Sequence, residues 1–342
     1  MKAVVHIGVS KAGSTTIQET TFAHRAALLK CGVLVPTQDG RFIRPIDLAN
    51  AVTGKSSTSR SEEVRSVIED GISRHRPQAL LLSSEYLYYK RGAAEALEAF
   101  LAPWADDVDI VLYVRDPVKR YLSLCQQSLK GQYKFIGPAF WNGKYRTSVE
   151  RWRKQYGDRL TVLPFQRSAF PEGLVSNLFA RFFPETAGKL PNLDDRIANQ
   201  SDPTEATRLL EAYFKVFYPN AIRKSRRDVD LLRSHLAETA LEMGLGERPT
   251  LRPEAREVIA RNHSEDLAWL AAEEGIVFDG VDAEATSEVP YSRPQLDRVS
   301  WSEVVSVDPQ NVQRLGLYAA RSATIKLATW PARKLCALWR RS

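Results

Sequence analysis

Short apolar runs alternate with longer amphipathic stretches along the first part of the chain. Runs rich in Val, Ile and Leu predict strands at residues 4–7, 32–36, 79–84, 108–114 and 160–165. The stretches between them carry apolar residues three and four positions apart, which predicts helices packed on one face. Strands that alternate with helices are joined by right-handed crossovers, so the pattern predicts an α/β fold with a central parallel sheet.

The pattern changes to helices alone after Asp195. Apolar stripes predict helices over 203–218, 228–243 and 253–274, which we interpret as a helical cap. A stretch rich in Pro and acidic residues follows and is typical of a linker. The predicted organisation is one domain over 1–280 (an α/β core over 1–195 and a cap over 196–280), a linker over 281–308 and a basic tail over 309–342.

Composition places the chain among ordinary globular proteins. Of 342 residues, 44% are apolar and 26% are charged, which is the usual balance for a protein with a large core. Cys31, Cys125 and Cys336 are too few and too scattered for a disulfide framework or a metal site. We find no signal peptide and no stretch long enough to span a membrane, so we expect a cytoplasmic protein.

The positive charge is concentrated in the tail. Residues 309–342 contain seven Lys and Arg and no acidic residue, and removing those seven from the 48 basic residues leaves 41, equal to the 41 Asp and Glu. We therefore expect no nucleic acid among the partners. The tail has apolar residues at nearly helical spacing, which fits peripheral binding to an anionic membrane at its inner face. A helix docked on the body fits equally well.

The stretch 4–18, VVHIGVSKAGSTTIQ, predicts a strand, a tight loop and the start, at Ser14, of a helix that continues to Cys31. Backbone N–H groups in the first turn of a helix lack helical partners, and the helix dipole adds positive potential there. Gly13 lets an anion approach the backbone, and Lys11 adds a cation. This arrangement is typical of a phosphate site, although a ligand-free turn with a glycine has the same pattern.

The positions of the cations distinguish two kinds of phosphate loop. Gly8 and Gly13 have the spacing of a nucleoside triphosphate loop, but Ser14 stands where that loop has its Lys. The order of Lys11, Gly13, Ser14 and Thr15 instead resembles the 5′-phosphosulfate loop of sulfotransferases, which use 3′-phosphoadenosine 5′-phosphosulfate (PAPS).

A second motif follows the apolar run at 108–114. Arg115 leaves the strand, Asp116 is placed to cap a helix that opens with Pro117, and Ser123 returns to the face of Arg115 two turns later. This segment resembles the sulfotransferase 3′-phosphate motif, an Arg and a Ser eight positions apart. An ion-paired Arg and an ordinary helix Ser remain the alternative.

A third stretch extends the resemblance. Residues 156–183, YGDRLTVLPFQRSAFPEGLVSNLFARFF, resemble the matching stretch of a bacterial sulfotransferase family. The resemblance covers roughly the first two hundred residues, of which only the two motifs are specific. It implies a P-loop-like three-layer α/β sandwich and transfer of a sulfuryl group from PAPS to a hydroxyl or amine, without a metal. The cofactor-binding residues that it implies are Lys11, Ala12, Gly13, Ser14, Thr15, Thr16, Arg115 and Ser123.

The resemblance implies that Lys11 is the cation at the leaving oxygen. It does not fix the position of the general base, which has to be inferred from the sequence. Glu85 follows the third predicted strand at the edge where ligands bind, so it is the first candidate for the general base. It could equally orient Lys11 or cap the next helix. Asp47 and His24 are the reserve candidates, and we expect His6 to be a packed histidine.

The sequence says least about the acceptor substrate. Trp141, Tyr145 and Arg146 could contact a sugar, although aromatic residues in such a segment are more often core. Arg196, with Asn199 and Gln200, could also reach a ligand. On family grounds we expect a glycan or a lipid-linked sugar. The rivals are a P-loop kinase or NTPase, which would need Mg²⁺ and a Lys after Gly13, and a non-catalytic membrane-associated protein of the same fold.

Overall fold

The structure is a computed structural model that describes residues 1–38, 40–54, 58–190, 193, 201–219, 227–279 and 298–326, with the backbone only at 58 and 323–326. The strands, in chain order, are β1 (Lys2–His6), β2 (Val33–Leu34), β3 (Thr37–Gln38), β4 (Arg41–Phe42), β5 (Ala79–Ser83), β6 (Asp107–Val114), β7 (Lys134–Ile136), β8 (Leu160–Pro164) and β9 (Arg298–Ser300). The helices are α1 (Ser14–Ala23), α2 (Arg25–Lys30), α3 (Pro45–Thr53), α4 (Thr58–His75), α5 (Ala93–Leu101), α6 (Pro117–Ser128), α7 (Tyr145–Tyr156), α8 (Leu174–Phe182), α9 (Pro184–Ala187), α10 (Thr204–Phe217), α11 (Arg227–Glu242), α12 (Pro253–Asn262), α13 (Ser264–Glu274), α14 (Trp301–Val304) and α15 (Pro309–Lys326).

The main sheet has five parallel strands in the order β2-β5-β1-β6-β8. Its central strands are continuous apolar runs: Val4, Leu80 and Ile110 are fully buried. Such runs are what a strand covered on both faces requires. The predicted α/β class with a central parallel sheet is confirmed, and the arrangement is consistent with a three-layer sandwich.

The register of β1 fixes the edge where ligands are expected. His6 lies opposite Ser83 of β5 and Val111 of β6. Because the strands are parallel, the segments that follow them leave the same edge of the sheet. The chain after β1 turns toward β5, and the chain after β6 turns toward β8, so β1 and β6 form the topological switch point.

Contacts divide the described residues into two compact units. The first unit comprises those within 1–116, 144–199 and 265–282, and it contains the five-stranded sheet. The second unit comprises those within 117–143, 200–264 and 283–342. The predicted core and the predicted cap are therefore each divided between the two units, whereas the predicted tail belongs to the second. The second unit contains the antiparallel pair β7–β9 and two apolar clusters, one around Trp301 and one around Phe214.

Two predicted helices are each divided by a histidine. The helix expected to continue from Ser14 to Cys31 is broken between α1 and α2 at His24, whose Nδ1 lies 2.9 Å from the Thr20 carbonyl oxygen. The helix expected over 253–274 is broken between α12 and α13 at His263. That ring is buried, and its Nε2 accepts a 2.8 Å hydrogen bond from the Gly143 N–H, a tertiary contact that helical periodicity does not register.

The first part of the predicted tail is a docked helix. Leu315 and Ala319 of α15 are fully buried in the cluster that α15 forms with α10 and α11. Residues 327–342, which carry most of the tail's bases, lie outside the described residues, as does 281–297 of the predicted linker. The membrane-surface prediction therefore stays a prediction. In the parts of the chain that the structure describes, no helix combines the length and apolar character needed to cross a membrane.

Candidate functional site

The loop between β1 and α1 is held against the neighbouring strand. The N–H of Val9 donates to the Tyr113 carbonyl at 2.7 Å, and the Tyr113 N–H donates to the Gly8 carbonyl at 2.8 Å. The Ala12 N–H then donates to the Val9 carbonyl at 3.2 Å and closes a turn, and Ala12 itself is fully buried. These bonds fix the backbone of the loop in place before any ligand is present.

The backbone of this loop has the form of an anion cradle. Gly13, with φ 80°, is the left-handed residue immediately before α1, and Lys11 also has a positive φ of 70°. A left-handed residue followed by helical ones points successive N–H groups toward one place, and the dipole of α1 adds positive potential. Within α1, all of which the structure describes, the first turn has no acidic side chain to cancel that potential.

Packing inside the protein, as well as the approach of a ligand, accounts for a glycine at position 13. A Cβ at this position would lie 2.3 Å from Leu174 Cδ2 and 2.7 Å from Phe165 Cε2. From the sequence, Gly13 is expected to allow the close approach of a phosphate. In the structure, Phe165, directly after β8, and Leu174, at the start of α8, lie where a Cβ of residue 13 would be, so a larger residue is excluded with or without a ligand.

The three hydroxyls at the start of α1 differ in their surroundings. Ser14 is buried, and its Oγ donates to the Val9 carbonyl at 3.3 Å, which ties the helix start to the loop. Thr15 and Thr16 are half-buried. The side chain that occupies the place of a triphosphate-loop Lys is therefore a short one that is turned back into the protein.

Arg115 reaches across the switch point to the loop. Its Nη1 donates a 2.5 Å hydrogen bond to the Lys11 carbonyl oxygen, and its Cζ lies 5.5 Å from the centre of the Phe165 ring. The Tyr145 hydroxyl donates to the Arg115 carbonyl at 2.6 Å. The two cationic residues predicted from separate motifs, Lys11 and Arg115, are thus joined in the first unit.

Glu85 lies on the other side of β1. A Cβ on Gly8, which has φ 115°, would lie 3.2 Å from Glu85 Cα, so the two backbones are in close contact. Gln18 Nε2 donates to Glu85 Oε2 at 3.1 Å and to Ser83 Oγ at 3.2 Å. Gln18 was not predicted; it lies one helical turn after Ser14, which is the signal that could have found it.

His6 completes this hydrogen-bonded chain from inside the sheet. It is fully buried, as expected, and its Nδ1 lies 2.8 Å from Ser83 Oγ. Burial lowers the pKa of His6 from 6.5 to about 4, against a smaller opposing effect of a hydrogen bond to the Gly8 backbone. Among the residues that the structure describes, its Nε2 has no hydrogen-bond partner. The ring is neutral at pH 7 and fixes the geometry behind Gln18 and Glu85.

The reserve candidates for the base have other partners. Asp47 is buried and accepts two hydrogen bonds from Arg44, at 2.6 and 3.0 Å, so its carboxylate belongs to an ion pair at the start of α3. His24 bonds the carbonyl one turn before it in α1. Glu85 is therefore the carboxylate best placed beside the loop.

The residues proposed to contact an acceptor are mostly core. Tyr145 is fully buried, and Trp141 belongs to the cluster around Trp301 in the second unit. Arg146 is exposed and bonds Glu150 at 2.8 Å. Arg196, Asn199 and Gln200 lie outside the described residues. Neither aromatic ring offers a face to a ligand.

Ser123 lies on α6, in the second unit, and is half-buried. Its predicted part in holding the 3′-phosphate stays a prediction from the sequence. The candidate site is built from first-unit residues alone.

Comparison with the models of known protein families, with curated proteins and with solved structures returned no match. The fold is that of an α/β protein whose loop between β1 and α1, at the switch point of a parallel sheet, has the backbone form of an anion cradle. Any finer identity depends on the chemistry of that loop.

Proposed function

We propose that this chain is a PAPS-dependent sulfotransferase with the P-loop-like sulfotransferase fold. The observation that carries the proposal is the hydrogen bond of Arg115 to the Lys11 carbonyl, beside the helix start at Gly13. It supports a donor site with two anion positions. The amides at the start of α1 and the Lys11 ammonium suit the phosphosulfate, and the planar fork of Arg115 suits a second phosphate. The sequence resemblance assigns Ser123 to that second phosphate.

The position of the cation favours a phosphosulfate over a nucleoside triphosphate. A triphosphate loop places its Lys directly after the second Gly, whereas here Ser14 is turned back to Val9 and Lys11 precedes Gly13. A cation before the glycine lies on the loop itself. It can therefore act on the bridging oxygen of a group held at the helix start.

The reaction is an in-line displacement at sulfur. An acceptor oxygen attacks the sulfur, the bond from sulfur to the bridging oxygen breaks, and adenosine 3′,5′-bisphosphate leaves with the bonding electrons. Lys11 stabilises the charge that develops on the leaving oxygen, and Glu85 takes the proton from the acceptor hydroxyl. Gln18 Nε2 donates to Glu85 Oε2 and orients this carboxylate.

The test is the affinity of the full chain for adenosine 3′,5′-bisphosphate, compared between the wild type and Arg115→Ala. Charge-assisted phosphate contacts contribute about 1.5–3 kcal/mol, so we expect affinity to fall at least about tenfold. Arg181→Ala, at an exposed position of α8, is the matched control and should bind as the wild type does. Equal binding by the Arg115 variant would remove the main support for the proposal.

A further inference from the structure

Two exposed tyrosines stand beside the candidate base. Tyr86 is 44% exposed and Tyr89 is 48% exposed, and no other aromatic side chain among the described residues of the first unit is comparably exposed. An aromatic ring left in water forgoes a large burial energy, so a pair of such rings at a ligand-binding edge points to a partner that covers them.

Both tyrosines lie in two successive turns that follow β5. The Leu87 N–H donates to the Ser84 carbonyl at 3.1 Å, and the Lys90 N–H donates to the Leu87 carbonyl at 3.3 Å. Tyr86 and Tyr89 are exposed, whereas Leu87 and Tyr88 between them are fully buried.

Tyr88 and Tyr89 are held in place by several contacts. The Tyr88 hydroxyl donates to the Lys144 carbonyl at 3.1 Å, and the Tyr88 carbonyl accepts from Arg151. The Tyr88 and Tyr89 rings meet edge to face with centres 4.8 Å apart, and the Tyr89 hydroxyl lies 3.1 Å from Ser10 Oγ in the anion-binding loop. A platform that is already ordered loses little entropy when a ligand covers it.

If the proposed function holds, the order of the strands in the sheet places the two substrates on opposite sides of β1. Arg115 follows β6 and Glu85 follows β5, and these strands flank β1 on opposite sides. The donor's second phosphate is assigned to the β6 side, which leaves the β5 side, with Glu85 and the tyrosines, to the acceptor.

We propose that Tyr86 and Tyr89 form the platform on which a carbohydrate acceptor binds. A sugar ring has an apolar C–H face that can cover an aromatic ring, and it carries hydroxyls that can bond the phenol oxygens. One such hydroxyl, placed at Glu85, is the nucleophile that the reaction requires. The platform thus determines which hydroxyl is sulfated.

The test is binding of methyl glycosides (glucosides, galactosides, mannosides and N-acetylglucosaminides) to the full chain, measured by saturation-transfer NMR without donor. Wild type should bind at least one of them. Tyr86→Ala and Tyr89→Ala should each weaken it about two- to tenfold, the range expected for one aromatic contact. Tyr86→Phe should retain most of the binding. Tyr318→Ala, at a 47% exposed tyrosine of α15, is the matched control and should bind as the wild type does.

Far-UV circular dichroism of the same samples shows that the variants are folded, and their affinity for adenosine 3′,5′-bisphosphate separates the two proposals. If the bisphosphate fails to bind but glycosides bind through the tyrosines, the donor assignment fails and the platform stands. If the bisphosphate binds and no glycoside does, or if the alanine variants bind glycosides as the wild type does, the platform is refuted. Binding of 4-nitrophenol in place of any glycoside would overturn the carbohydrate assignment.

Discussion

Acidification should destabilise the fold through His6. The perturbation is a change from about pH 7 to about pH 4.5, across which an unfolded histidine gains a proton. Folded His6 resists protonation because it is fully buried in β1, and its pKa is lowered to about 4. In this window the unfolded chain binds more protons than the folded one, so the free energy of unfolding falls as the pH falls.

The size of the effect follows from the shift. Lowering the pKa from 6.5 to about 4 corresponds, at about 1.4 kcal/mol per pKa unit, to a loss of about 3 kcal/mol when the window is fully crossed. A typical domain has about 5–15 kcal/mol of stability, so the loss is a substantial fraction. It begins near pH 6.5 and ends near pH 4, where the folded ring also becomes protonated.

The assay is an NMR titration of the imidazole C–H signals, supported by urea unfolding at several pH values. The His6 signal should stay in its neutral position down to about pH 5, because burial lowers its pKa to about 4. His6→Gln should reduce the pH dependence of unfolding. A His6 signal that titrates near 6.5 would refute the reasoning.

Three substitutions test the site and its packing. Lys11→Ala should lower turnover by about a hundredfold and weaken bisphosphate binding much less, since its charge matters most as the leaving oxygen develops charge. Glu85→Gln should lower turnover by about a hundredfold or more with bisphosphate affinity retained, and unchanged turnover would exclude Glu85 as the base. Gly13→Ala should lower the melting temperature more than Gly54→Ala, because both positions have positive φ but only a Cβ at Gly13 would overlap Leu174; equal losses would contradict the packing argument.

Elements with a strong local signal were predictable. The run at 108–114 predicted β6 within one residue, and the run at 79–84 predicted β5 equally well, because strands buried on both faces are apolar throughout. A parallel sheet predicts that Arg115 and Lys11 share one edge, since parallel strands bring their carboxyl ends together. Their contact also needs β1 and β6 to be neighbours, which was not predicted.

Features that depend on tertiary contacts were not predictable. The break at His263 depends on a hydrogen bond from Gly143, 120 residues away. Residue type suggests Trp141 and Tyr145 for ligand contact, yet their rings pack into core, whereas Tyr86 and Tyr89 are exposed. Residue type shows that Tyr86 and Tyr89 have aromatic rings, but their exposure depends on the turns after Ser84.

The most direct test of the account is a calorimetric titration of the full chain with adenosine 3′,5′-bisphosphate in the presence of EDTA, compared with ATP–Mg²⁺ in its absence. We predict tighter binding of the bisphosphate, because in the proposed donor site Lys11, the start of α1 and Arg115 hold two separate anions, and the position after Gly13 lacks the Lys of a triphosphate loop. Tighter binding of ATP–Mg²⁺ would contradict the account and favour a P-loop kinase or NTPase.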